Sequence, residues 1–133
     1  VSAFAEQIMK PIGLFLATVL SSIAFLVPPA NAGEADVVGV KIVREGTGSY
    51  RFDVTVKHGD EGWKHYANKW DVVASDGTVL GTRELLHPHE TEQPFTRSLQ
   101  GVKISNGIGE VTVRAHDSVH AYGGAEMKVE VPR

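Results

Sequence analysis

The chain has 133 residues, with 13 Lys and Arg against 16 Asp and Glu and a formal net charge of −3. That length fits one domain, and an acidic balance without a Lys/Arg cluster argues against nucleic acid as a partner. With no Cys at all, a disulfide framework, a thiolate metal site, a Cys nucleophile and a lipid-modified Cys are excluded within these residues.

The first segment reads as an address. Ile12 to Val27 is apolar and uncharged, but shorter than the about 20 residues that span a bilayer. Pro28-Pro29 ends any helix, and Ala30 and Ala32 supply the small residues of an A-x-A cleavage site. Residues 1–32 are therefore expected to be a cleaved signal peptide, with Met9-Lys10 a better start than Val1. The mature domain is then 33–133, periplasmic or secreted, with no membrane segment after cleavage. A domain of about 100 residues buries enough surface to fold without cross-links.

Strand periodicity runs through the mature chain. Val38, Val40 and Ile42 alternate with Gly39, Lys41 and Val43, a first strand. Tyr50, Phe52, Val54 and Val56 alternate with Arg51, Asp53, Thr55 and Lys57, one face apolar and one wet. Tyr66, Asn68, Trp70, Val72 and Ala74 share a face, with Trp70 the natural core anchor. Asp76-Gly77 predicts a type I′ hairpin turn into a strand over Val79–Leu86. After the break at His87–Pro94 come Phe95–Ile104, Val111–Ala115 and Met127–Val131. About seven short strands at turn spacings of roughly 8–12 residues predict an all-β, antiparallel immunoglobulin/fibronectin-III-like sandwich. No helical period extends beyond a turn or two.

Trp70-Asp71-Val72, Asp76-Gly77-Thr78-Val79-Leu80-Gly81-Thr82-Arg83, His87-Pro88-His89 and Glu92-Gln93-Pro94-Phe95-Thr96-Arg97-Ser98-Leu99 together resemble a group of small exported, proteobacterial-type β-sandwich proteins. So does Arg114-Ala115-His116-Asp117-Ser118-Val119-His120. The resemblance covers nearly all of 33–133. It implies a Gram-negative periplasmic origin and no particular activity.

All six histidines lie in the mature chain. His87 and His89 flank Pro88, and two imidazoles at i and i+2 in extended backbone point the same way. With His116 and His120 they could offer nitrogen ligands to Cu or Zn, aided by Glu90, Glu92 or Asp117. The condition is that the loop after the fourth strand and the loop after the sixth share one end of the sandwich. Loop histidines that merely bond carboxylates or carbonyls are the commoner case. Asp117-Ser118-Val119-His120 suggests a hydrolase triad, but no nucleophile elbow or oxyanion loop accompanies it. Arg97 shares the face of Phe95 and Leu99 and wants a carboxylate, with Glu84, Glu92 and Asp117 the candidates. Arg97 could also bind an anion or ligand, and Trp63, Tyr66 and Tyr122 are loop or edge aromatics that could make a ligand or partner patch of the carbohydrate or peptide type. The sequence thus favours a non-enzymatic binding or interaction module without a cofactor, its partner a protein or cell-envelope component. The alternative is a Cu- or Zn-binding protein, and a hydrolase ranks last.

Overall fold

Strict alternation in Ser49–Lys57 has the packing consequence it predicts. Tyr50, Phe52, Val54 and Val56 are buried, while Arg51, Asp53 and Thr55 remain half-exposed on the other face. That strand is the centre of a three-stranded sheet in a computed structural model that describes residues 33–133. The expected signal peptide over 1–32, with its start at Met9, lies outside the described residues.

Seven strands follow in order: β1 (Asp36–Gly46), β2 (Ser49–Lys57), β3 (Ala67–Ala74), β4 (Val79–Glu84), β5 (Phe95–Lys103), β6 (Glu110–Asp117) and β7 (Met127–Glu130). They form two antiparallel sheets, ordered β1-β2-β5 and β4-β3-β6-β7. No helix occurs among the described residues. The architecture is the all-β sandwich that the strand pattern predicts. Between the sheets Phe52, Val54, Val56 and Phe95 meet Trp70, Val72, Val111 and Val113, all at 1% exposure or less.

Three local expectations change. Val38 is exposed and Val37 buried, because a register shift between Val37 and Gly39 turns the start of β1 over. A second shift between Ala67 and Lys69 buries Ala67, where alternation puts Tyr66 and Asn68 on the core face. Finally, the Asp76-Gly77 hairpin is not type I′. Gly77 has φ 88° while Asp76 is not left-handed, and Gly77 N–H bonds the Ala74 carbonyl. The result is a type I turn closed by a left-handed glycine.

The registers also settle which loops share an end. Val56 faces Phe95, Lys69 faces Glu84, and Ala67 faces Asp117. The β2–β3 loop (58–66), the β4–β5 loop (85–94) and the β6–β7 loop (118–126) therefore emerge together.

The β6–β7 loop is also strapped to the start of β1. Val37 N–H donates to the Ala125 carbonyl at 2.8 Å, and Ala125 N–H donates to Asp36 at 2.7 Å. A Cβ at Gly124 would sit on the Ala35 carbonyl, against backbone that cannot swing away, whereas at Gly123 it would meet only the flexible Glu34 side chain. Gly124→Ala is expected to cost about 1–3 kcal/mol of stability and Gly123→Ala much less, as urea unfolding of the two variants would show.

Candidate metal centre

The first residue after β2, His58, turns inward and is 3% exposed. Its Nδ1 lies 2.5 Å from Asp60 Oδ1. Asp60 also accepts the backbone N–H groups of Ala67 at 3.0 Å and His89 at 2.6 Å, so its carboxylate ties the β2–β3 and β4–β5 loops together. The other ring nitrogen, Nε2, faces the Gly33 carbonyl at 2.9 Å and Asp117 Oδ2.

Asp117 ends β6 and is fully buried. Its Oδ1 accepts the N–H groups of Val119 at 2.6 Å and His120 at 2.7 Å, an Asx turn that folds the loop back over the strand end. Ala121 then takes φ 57° and pairs with Asp117 through two backbone bonds of 3.0 Å. Asp117 Oδ2 is left to three rings: His58 Nε2, His65 Nε2 at 2.7 Å and His120 Nδ1 at 3.4 Å. The His65 ring centroid is 4.9 Å from those of both His58 and His120.

Opposing charges set the protonation here. Burial pushes the His58 imidazole down, but the Asp60 bond, the Asp117 charge and the Gly33 carbonyl outweigh it and hold its pKa above the ordinary value. Burial raises the Asp117 carboxyl, yet the His120 and Val119 amides and the His65 ring bring it down to about 2. Asp60 is likewise lowered, its bonds to His58, His89 and Ala67 overcoming burial.

One nitrogen from each of His58 and His65 and one oxygen of Asp117 lie within 4.8 Å of one another, the one such trio of His and carboxylate ligands among the described residues. Around a tetrahedral ion with bonds of about 2.0–2.1 Å, donors sit about 3.3 Å apart. Here both nitrogens are at hydrogen-bonding range of the Asp117 oxygen, so each nitrogen–oxygen pair would have to part by under about 1 Å to seat an ion. His120 Nδ1 is 3.4 Å from the oxygen but lies outside the trio, so its ring would have to swing in to be a fourth ligand. The His58 ring has the carboxylate support that metal-bound imidazoles usually have, with Asp60 holding the nitrogen opposite the ligating one.

The four histidines singled out from sequence are placed differently. The His87 and His89 rings lie 4.5 Å apart, but no three of His87, His89, His116 and His120 converge as that trio does. His89 is 5% exposed and stacks on Phe95 at 3.9 Å. Its Nε2 accepts from Arg97 at 3.0 Å. Its Nδ1 has no hydrogen-bond partner, Asp60 Oδ2 lying 4.0 Å away. Burial and the Arg97 charge lower its pKa, so it is a neutral ring packed behind Asp60. His87 is exposed and bonds the Pro88 carbonyl. His116 bonds Asn68 Oδ1 at 2.6 Å and meets the Tyr122 ring edge-on. Of the four, only His120 reaches the Asp117 carboxylate.

Arg97 finds Glu92, at 3.3 Å, of its three candidate carboxylates. Trp63 is 67% exposed and packs edge-on against Tyr66. Tyr122 folds over the outer face of the four-stranded sheet, donating to the buried Asp71 beneath the Arg114 guanidinium, which lies 4.0 Å from its ring. Tyr122 thus lies against the four-stranded sheet, and Arg97 on β5 of the three-stranded one.

His58 and His65 escape selection on the sequence because neither sits in a recognised ligand spacing. The legible signal is positional: His58 follows one strand end and Asp117 closes another, and antiparallel pairing brings both ends to the same side.

No known family profile matches the chain, and no solved structure matches it. A curated relative from the halophilic archaeon Halomicrobium mukohataei, bearing the name "Putative lipoprotein", is 44% identical over 97 residues. The matched region covers 73% of this chain and 47% of the relative, so the chain spans about half of that protein's length. This similarity lends no support to the proteobacterial origin that the sequence motifs imply.

Proposed function

We propose that the chain is a non-enzymatic module that binds one transition-metal ion outside the cytoplasm. The ligands are His58 Nε2, His65 Nε2 and Asp117 Oδ2, with His120 Nδ1 the fourth. One observation carries this reading: three imidazole nitrogens from two loops converge on a single oxygen of a fully buried carboxylate. Buried charge at this density is costly unless paired or coordinated. Three nitrogens and one oxygen suit Zn²⁺ or Cu²⁺ far better than Ca²⁺ or Mg²⁺, which take oxygen ligands.

Export is supported by the apolar run Ile12–Val27 before Ala30-Asn31-Ala32, and by the name of the archaeal relative. Because the 133 residues hold no Cys, a lipid on a Cys thiol has no acceptor among them.

Equilibrium dialysis with Zn²⁺, and Co²⁺ absorption as a report on ligand geometry, test the assignment. One ion per chain is expected. His65→Ala should weaken binding at least about 100-fold, and Asp60→Asn, which leaves every ligand in place, about 10–100-fold. His87→Ala and His116→Ala should change little. Retention of full affinity by His65→Ala, or its loss in His87→Ala, would defeat the assignment and move the search to the β4–β5 loop.

A further inference from the structure

The outer face of the three-stranded sheet, on β1, β2 and β5 rather than on the loops that carry the histidines, holds a second polar site. A groove of about 970 Å³ runs there, lined by Gly39, Thr55, Thr96 and Ser98 together with Lys41, Arg51, Arg83 and Gln100. Gly39 stands opposite Thr55 in the register, so the absence of a side chain there leaves the two threonine hydroxyls, 2.7 Å apart, open to the groove. The groove has three cations and one carboxylate, Asp53, in a chain whose net charge is −3.

That carboxylate is already engaged. Asp53 accepts Ser98 Oγ at 2.6 Å and pairs with Arg51 at 3.3 Å. Lys41 makes no ion pair among the described residues and projects to solvent. Arg83 reaches across from β4 in the other sheet. It donates Nη1 to the Ser98 carbonyl at 3.1 Å at the exposed end of the group, while its Nε is buried without an acceptor and out of a ligand's reach. The outer edge of a planar guanidinium is suited to a carboxylate or sulfate. No aromatic ring lines the groove, which removes the stacking platform that neutral sugars use. Its hydroxyls and amide nonetheless match a hydroxyl-bearing chain.

We propose that this groove binds an acidic polysaccharide, with Arg83 and Lys41 taking its carboxylate or sulfate groups and Thr55, Thr96 and Gln100 its hydroxyls. The inference does not depend on the metal centre.

Binding of the full chain to immobilised polygalacturonate, dextran sulfate and neutral dextran tests it. Binding to at least one of the two acidic polymers, absent on neutral dextran and weakened by added salt, is expected. Response to polygalacturonate alone or to dextran sulfate alone would separate a carboxylate from a sulfate ligand. Arg83→Gln and Lys41→Gln should each weaken binding about tenfold or more, with thermal unfolding confirming that the variants fold. Lys128→Gln, on the four-stranded sheet, is the control and should leave binding unchanged. Equal binding to neutral dextran, no binding to either acidic polymer, or an equal loss in Lys128→Gln would overturn the proposal.

Discussion

Asp117→Ala is expected to abolish metal binding and to lower the stability of the metal-free protein by about 3–5 kcal/mol. The carboxylate is fully buried and is the shared acceptor for His58, His65, His120 and two loop amides. Its removal takes the carboxylate from the buried His58 ring and the partly buried His65 ring, where water replaces it poorly, while the more exposed His120 side can turn to solvent. It also leaves His58 as a buried cation with only Asp60 opposite. Asp117→Asn separates the two effects. An amide oxygen can still accept the Val119 and His120 N–H groups, so the loop keeps much of its shape, while the charge that an ion requires is gone. Chemical unfolding of both variants, with Zn²⁺ dialysis alongside, measures this. An Asp117→Ala protein as stable as the parent would contradict the account of the site.

Trp70→Ala is the second large effect, at about 3–5 kcal/mol. The indole is wholly buried between the sheets, where its loss opens a cavity that the rigid strands of β3 and its partners cannot close. In a domain of this size a loss of that magnitude should lower Tm by well over 10 °C. Trp70→Phe should cost far less, about 1–2 kcal/mol. It keeps most of the apolar volume and removes an indole N–H that has no hydrogen-bond partner. Urea unfolding followed by circular dichroism should show a shifted midpoint at an unchanged slope. A change in slope would mean that the unfolded state had altered instead.

The sandwich was legible because its strands are half-buried and therefore alternate, as in Tyr50–Lys57, and because Trp70 marks the core. Alternation fails where bulges intervene: nothing local in Val37-Val38-Gly39 or Ala67-Asn68-Lys69 announces the extra residue, which pairing with the neighbouring strand decides. The site was half legible. The sequence offers His120 as a nitrogen ligand and Asp117 as an aiding carboxylate, and it states the condition on loop ends. His87-Pro88-His89 drew attention by proximity in sequence, yet Phe95 and Arg97 claim the His89 ring, leaving it as packing. His58 and His65 acquire their meaning only from Asp117, which lies 52 positions beyond His65. Tertiary pairing of that range has no sequence-local signature.

The two chief ligands belong to different layers of the sandwich. His58 continues the central strand of the three-stranded sheet, and Asp117 closes the β6 strand of the four-stranded one. An ion between them would act as a rivet through both layers at the end where the loops gather. The lifetime of the folded protein, and not only its equilibrium stability, would then depend on metal supply, since prying the sheets apart from that end would first require the rivet to be drawn. On the proposed export, where chelators and proteases would meet a domain whose 133 residues hold no Cys, such a fastening would set how long each molecule survives.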